Sequence, residues 1–257
     1  VEFLKVATND FVKVITINHQ PANALSQAVL KELSSVLREA ENDSNTRVVL
    51  LHGEGRFFCA GADIKEFTTL ESADDYAQLA KFGQELMEYI ETYPKPVIAA
   101  IHGAALGGGL ELAMSCHIRL VSEKAKLGLP ELQLGIIPGF AGTQRLPRYV
   151  GTGRAAQMML TSEPISGVEA AQLGLANYAY PDESLMDEAT KLAAKIALKS
   201  PISVKYALQL LQHSKPASYY EGVEKEAELF GQVFGSQDAK EGIAAFVEKR
   251  APKFTGE

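Results

Sequence analysis

The chain of 257 residues carries 25 Lys and Arg against 32 Asp and Glu, a formal net charge of −7, which argues against wholesale binding to nucleic acid or to an acidic membrane surface. No apolar run approaches the ~18 residues of a membrane-spanning helix, and its two cysteines, Cys59 and Cys116, argue against a disulfide framework and fit a reducing cytoplasm. The N-terminus, Val1-Glu-Phe-Leu-Lys5, has neither the apolar core of a signal peptide nor an Arg/Ser-rich transit segment, so a cytoplasmic protein is expected.

Taken in order, Phe11-Val-Lys-Val-Ile-Thr-Ile-Asn18 is rich in β-branched residues and reads as a strand. After a turn at Gln20-Pro-Ala-Asn23, Ser26 is placed to cap a helix whose apolar face is Val29, Leu30, Leu33, Val36, Leu37 and Ala40. Arg47-Val-Val-Leu-Leu-His-Gly53 reads as a second, buried strand. It runs into a loop of small residues over 54–65, where Asp63 is placed to cap the segment after it, and a long helix is expected over 72–92. Val97-Ile-Ala-Ala-Ile-His102 is another buried strand, and like the previous one it ends in His-Gly. Two such strands side by side in a parallel sheet would bring their following loops to one edge, where α/β sheets bind ligands.

The second of these loops is Gly103-Ala-Ala-Leu-Gly-Gly-Gly-Leu-Glu111, running into a helix with Leu110, Leu112, Ala113 and Cys116 on its buried side. A glycine turn before a helix aims unpaired N–H groups at an anion and lets a ligand approach the backbone. Neither GxxxxGK[ST] nor GxGxxG is present, and Glu111 in the first turn would repel a bound phosphate. It suits a site where a neutral carbonyl becomes negative while a proton moves nearby. Tight helix–strand packing, with a Glu favoured by the helix dipole, is the alternative reading of the same spacing.

Beyond it, Ile118-Arg-Leu-Val-Ser122 reads as a strand and 125–146 as a loop punctuated by Gly and Pro. Glu131 lies there beside Pro130 and among Leu127, Leu129, Leu132 and Leu134, company that would raise its pKa if the carboxyl is buried; an exposed loop Glu is the alternative. The rest reads as helices over 153–161, 166–173, 184–199, 201–213, 219–234 and 238–249, with a short strand near 177–180. Gly151-Thr-Gly153 follows no clear strand and reads as a helix-start turn, the Lys191, Lys195 and Lys199 stripe as a solvated helix face. No GxSxG elbow is present, and the five histidines show no metal-binding spacing.

Together, Cys59-Ala-Gly-Ala-Asp-Ile-Lys65, the run from Ile101 through Glu111 to Ala113, and Leu129-Pro-Glu131 with Gly135-Ile-Ile-Pro-Gly-Phe-Ala-Gly-Thr-Gln-Arg-Leu146 resemble the crotonase superfamily, and within it most closely the short-chain enoyl-CoA hydratases. The similarity reaches the C-terminal Asp238-Ala-Lys-Glu-Gly-Ile-Ala-Ala-Phe-Val-Glu-Lys-Arg250. The resemblance implies an α/β crotonase-like spiral of ββα units over 1–195, carrying CoA binding and catalysis, and a helical region over 196–257 that mediates trimerisation, with two trimers commonly forming a hexamer. It implies oxyanion-hole N–H groups at Ala62 and Gly108, catalytic carboxylates at Glu111 and Glu131, and CoA-thioester contacts at Ala60, Ala62, Asp63, Ile64, Lys65 and Gly108. In the implied reaction of fatty-acid β-oxidation, Glu111 is the base toward water and a protonated Glu131 the acid, with no metal and no cofactor apart from the CoA of the substrate. Phe140-Ala141 and the leucines flanking Gly128 depart from the commoner family residues, which bears on acyl-chain preference. An enoyl-CoA isomerase, which can work with one carboxylate, and a branched-chain, methylglutaconyl-type hydratase are the alternatives within the superfamily; outside it stands a non-catalytic CoA- or nucleic-acid-binding scaffold.

Overall fold

A computed structural model describes residues 2–67, 72–212, 214–216 and 218–253; His213, one of the five histidines, lies outside the described residues. The two runs that end in His-Gly form neighbouring parallel strands, β3 (Val48–Gly53) and β4 (Val97–Ile101), with Val49 opposite Val97 and Leu51 opposite Ala99. They stand at the centre of a six-stranded sheet of order β1-β2-β3-β4-β6-β9, completed by β1 (Leu4–Asn9), β2 (Val12–Ile17), β6 (Ile118–Ser122) and β9 (Tyr178–Tyr180). A second sheet holds three short strands, β5 (Ala104–Leu106), β7 (Lys126–Gly128) and β8 (Ile165–Ser166), in the order β5-β7-β8.

Both faces of the central sheet are covered, which is why β3 and β4 read as unbroken apolar runs. Val49 and Leu51 face one way, into a core shared with helix α1 (Gln27–Asn42), through Val29, Leu30, Leu33 and Leu37, and with the later part of α3 (Ala73–Glu91). Val48 and Leu50 face the other way, against Leu185, Ala189, Ala193 and Ala197 of helix α7 (Leu185–Ala197). The small helices α2 (Ile64–Phe67), α4 (Gly108–Ser115) and α6 (Gly167–Gln172) fill the turns between sheets, and α5 (Gly142–Thr161) runs alongside α4. The chain continues through α8 (Pro201–Gln212), α9 (Ser218–Phe234) and α10 (Gln237–Glu248). No helix among the described residues is long and apolar enough to cross a membrane.

Three details differ from the sequence expectations. β1 is a strand that shows no alternation, because only Leu4 in it is buried. The segment expected as one loop over 125–146 holds β7, a 3-10 turn (Glu131–Leu134) and the start of α5. That helix begins eleven residues before the expected 153 (153 − 142 = 11), and Gly151, at φ 75° and ψ 157°, kinks it where a helix start was expected.

The C-terminal helices are fastened to this core in two ways. Phe230 and Phe234 of α9 are buried against Leu79 and Ala80 of α3. Further along, at the end of α3, Glu91 meets Arg145 Nε at 2.9 Å, Arg148 Nη1 at 2.9 Å and Lys215 Nζ at 3.2 Å. Burial pushes the Glu91 pKa up, but these three cations outweigh it and hold it at about 2.

Candidate active site

The site forms where the loops after β3 and β4 leave the sheet at the same edge. The first loop is stitched to the second: Cys59 N–H donates to Ala104 O and Leu106 N–H donates to Cys59 O, both at 3.1 Å. Leu25 fixes its far end, donating to Gly61 O at 2.8 Å and accepting from Asp63 N–H at 3.1 Å. These bonds use the carbonyl before Ala62 and the amide after it. Gly107, held at φ 52°, donates to Gly128 O at 2.9 Å and accepts the N–H groups of Leu110 and Glu111, so the turn closes tightly over the start of α4. Among the described residues no backbone carbonyl takes up the N–H of Ala62 or of Gly108. A Cβ placed on Gly108 would lie 3.4 Å from Ala62 N and 3.4 Å from the Phe140 ring. The two unpaired amides are therefore close neighbours, and glycine keeps the space beside them open.

Glu111 sits in the first turn of α4 at 2 % exposure. Its Oε1 accepts from Phe140 N–H at 2.9 Å and from Gly142 N–H at 2.7 Å. Gly142 is required there, since a Cβ on it would come within 2.6 Å of that oxygen. Glu131 opens the 3-10 turn; the residue is half-buried, but its Oε2 is closed off from solvent with no hydrogen-bond partner among the described residues. A third carboxylate, Glu226 of α9, is 3 % exposed and lies behind the same wall.

Burial pushes the Glu111 pKa well above the usual carboxylate range, the charges of Glu131 and Glu226 push the same way, and the Gly142 and Phe140 amides pull it back. Burial likewise raises Glu131, and Glu226 adds to it. With the two carboxyls interacting, the pair titrates as a unit.

Both carboxylates open onto one cavity of about 360 Å3. Of the residues expected at the site, Ala60, Ala62, Ile64, Gly108, Glu111 and Glu131 line it. Asp63 and Lys65 do not; Asp63 Oδ1 instead caps the short helix α2 by accepting Lys65 N–H at 3.1 Å. The remaining wall is largely apolar, with Leu134, Ile136, Phe140, Phe230 and Phe246 in it. Two residues that sequence reasoning did not place at the site stand here: Phe230 lines the cavity and Glu226 lies behind its wall. A weak signal existed: Glu226 lies on the buried face of α9, seven residues after Tyr219 and four before Phe230 (226 − 219 = 7; 230 − 226 = 4), where a lone acid is out of place.

Residues 7–257 match the family model described as enoyl-CoA hydratase/isomerase. The chain is 58% identical over 255 residues to a probable enoyl-CoA hydratase of Bacillus subtilis, covering 99% of each. It is 42% identical over 241 residues to the short-chain-enoyl-CoA hydratase of Clostridium acetobutylicum, covering 93% of this chain and 92% of that one. A crystal structure of an enoyl-CoA hydratase from Bacillus anthracis superposes with a TM-score of 0.79 at 40% identity, over 99% of this chain and 100% of the other.

The raised carboxylates carry a consequence for stability. A carboxyl whose pKa is higher folded than unfolded binds more protons in the native state, so stability falls as pH rises from the unfolded value toward the folded one. Glu131→Gln removes one such group. The stability of the variant relative to wild type should rise progressively between about pH 5 and pH 8, gaining about 1 kcal/mol or more by the upper end. Melting curves of both proteins across that range check it; a difference independent of pH would show that Glu131 is ionised throughout.

Proposed function

We propose that this chain, which belongs to the enoyl-CoA hydratase/isomerase family and is an enoyl-CoA hydratase, adds water to short-chain trans-2-enoyl-CoA thioesters in fatty-acid β-oxidation, with Glu111 and Glu131 as its catalytic pair. The observation that carries the assignment of roles is the placement of two buried carboxylates and two unpaired backbone N–H groups on one largely apolar cavity. The Ala62 and Gly108 amides donate to the thioester oxygen, drawing electrons from C3 and stabilising the enolate that forms. Each such donor contributes on the order of 10²–10³ in rate.

Glu111 takes a proton from water as the water oxygen bonds to C3, and Glu131 gives its proton to C2. The C2–C3 double bond becomes single, and one water is consumed. The Phe140 and Gly142 amides favour the ionised form of Glu111, which the base must be. The unpartnered, closed-off Oε2 of Glu131 favours a neutral acid. Having both carboxylates on the cavity favours hydration over the isomerisation that one carboxylate can perform. The step uses protein groups and water, with CoA as part of the substrate and no further cofactor. Phe140, standing beside Gly108 and packed against Gly83, narrows the acyl end and favours short chains. Cys59 and Cys116, both buried free thiols, support a reducing cytoplasmic setting.

The assembly we propose is a trimer, or a hexamer built from two trimers. In support, α8 has no buried residue, and Leu198, Ile202 and Leu210 are 82%, 68% and 70% exposed. An apolar face of this kind on a single chain marks an interaction surface. The sequence reading that counts Phe230 and Phe234 of α9 among the apolar side chains left for assembly is not met, because both are buried inside the chain.

Crotonyl-CoA consumption, followed at the enoyl-thioester absorbance, tests the chemistry. Glu111→Gln and Glu131→Gln should each lower hydration by roughly 10²–10⁴ with CoA-ester affinity close to wild type; full activity in either variant removes that residue from the mechanism. Gly108→Val fills the space beside Ala62 N, so a folded variant should lose productive thioester binding, and a wild-type rate in it would reduce the glycine turn to packing. Sedimentation should show a trimer or hexamer, and a stable monomer at micromolar concentration would overturn the assembly.

A further inference from the structure

The segment 139–143, which leads from the 3-10 turn into the first residues of α5, distributes its amides in alternation. Phe140 N–H and Gly142 N–H donate to Glu111 Oε1 on one side. Ala141 N–H and Thr143 N–H donate to Glu226 on the other, the latter at 2.9 Å, and Thr143 Oγ1 joins them. The alternation depends on Ala141, a non-glycine residue held in the left-handed region at φ 68° and ψ 25°. The same segment is gripped at its start: Gln84 Nε2 donates to Gly139 O at 3.1 Å and to Glu226 Oε1 at 3.3 Å. The fit at this end leaves no slack, since a Cβ on Gly139 would lie 2.7 Å from the Phe230 ring.

We propose that Glu226 is a positioning residue for the reaction: by holding the Ala141 and Thr143 amides from behind, it keeps the Phe140 and Gly142 amides aimed at Glu111. The inference rests on the reading of Glu111 as the base. Glu226 does not line the cavity, so it acts through the segment and not on substrate. All four hydrogen-bond contacts to its carboxylate come from donors, so the shell fits an ionised group in particular. An uncharged isostere would turn its N–H₂ either toward the Ala141 amide and Gln84 Nε2 or toward the Thr143 amide and hydroxyl, setting donor against donor and breaking the arrangement. Freed from Glu226, the segment can rotate its peptide planes, and Glu111 loses the donors that favour its ionised form and fix its rotamer.

Two effects of Glu226 on Glu111 oppose each other, and this makes a test possible. Its charge, acting through space, raises the Glu111 pKa, as that of Glu131 also does. Its hold on the segment supplies Glu111 with two amides, which lower that pKa. The titratable groups that feel Glu226 are Glu111 and Glu131, while its hydrogen-bond partners among the described residues, Gln84, Ala141 and Thr143, carry no titratable side chain. Removing Glu226 only as a charge shifts the acid limb of the kcat profile, where the base must be ionised, to lower pH. Removing it as a positioning residue shifts that limb to higher pH.

Glu226→Gln should therefore lower kcat for crotonyl-CoA by about tenfold or more, the scale of a misplaced catalytic group, with KM within about threefold and the acid limb displaced to higher pH. Thr143→Val, which deletes one donor to Glu226 and leaves the carboxylate in place, should move kcat and the limb the same way by less, and serves if the first variant does not fold. An acid limb that stays in place or moves to lower pH in the folded variant overturns the proposal, even if kcat falls. Glu111→Gln run alongside separates the two levels: if it retains activity, the assignment of the base fails; if it is inactive while Glu226→Gln and Thr143→Val keep the wild-type profile, only the positioning role fails.

Discussion

The site depends on two backbone hydrogen bonds between loops that follow different strands. Cys59 pairs with Ala104 and Leu106 as if the loop after β3 were a further strand beside β5. That pairing brings Ala62 up to the glycine turn and sets two amides side by side. It requires β3 and β4 to be adjacent and parallel, since only then do both loops emerge at one edge. The glycines follow from the same closeness: a Cβ on Gly109 would stand 2.2 Å from Cys59 O, and one on Gly103 2.0 Å from Arg56 O. The core elements serve this one approach by covering the sheet on both faces and fixing its strands in register.

The chain treats buried acids in two opposite ways, and the contrast shows what the site is built for. Glu91 is given three cations and is held ionised, at about 2, in spite of its burial. No Lys, Arg or His lines the cavity of Glu111 and Glu131 among the described residues, and burial raises the pKa of both and of Glu226 behind the wall. Among the described residues, the donors supplied to the Glu111 carboxylate are the backbone amides of Phe140 and Gly142. Amides stabilise a carboxylate without fixing it permanently in the charged state, which leaves the proton free to move. The ion cluster around Glu91 fastens the helices; Glu111 and Glu131, with no cation beside them on the cavity, keep exchangeable protons.

Much of this was legible in the sequence, and the reasons are local. The α1 face was readable residue by residue because a 3.6 period and a Ser26 cap coincide in one window. β3 and β4 were readable because both sheet faces are covered. Glu111 stood out by its place behind three glycines, and resemblance to a known family brought Glu131 beside it. What escaped is non-local. β7 is three residues long and exists only through β5 and β8, and β1 hides because it exposes nearly every side chain. The first half of α5 is masked by Pro147 inside it and by Gly151 at its kink. Glu226 could be seen as an acid on a buried helix face, but its role depends on a segment more than eighty residues earlier folding against it (226 − 143 = 83).

The placement of Glu226 and Phe230 on α9 also bears on the order in which the enzyme comes into being. Glu111 and Glu131 are synthesised and can be buried while α9 is still inside the ribosome, and domains generally fold from the N-terminal side as they emerge. Until α9 docks, the 139–143 segment lacks its backing and the cavity lacks the wall that Phe230 supplies. A half-made chain therefore holds its reactive groups without the means to aim them. The site is thus completed by a helix translated after both of its carboxylates, and not by the segments that carry them.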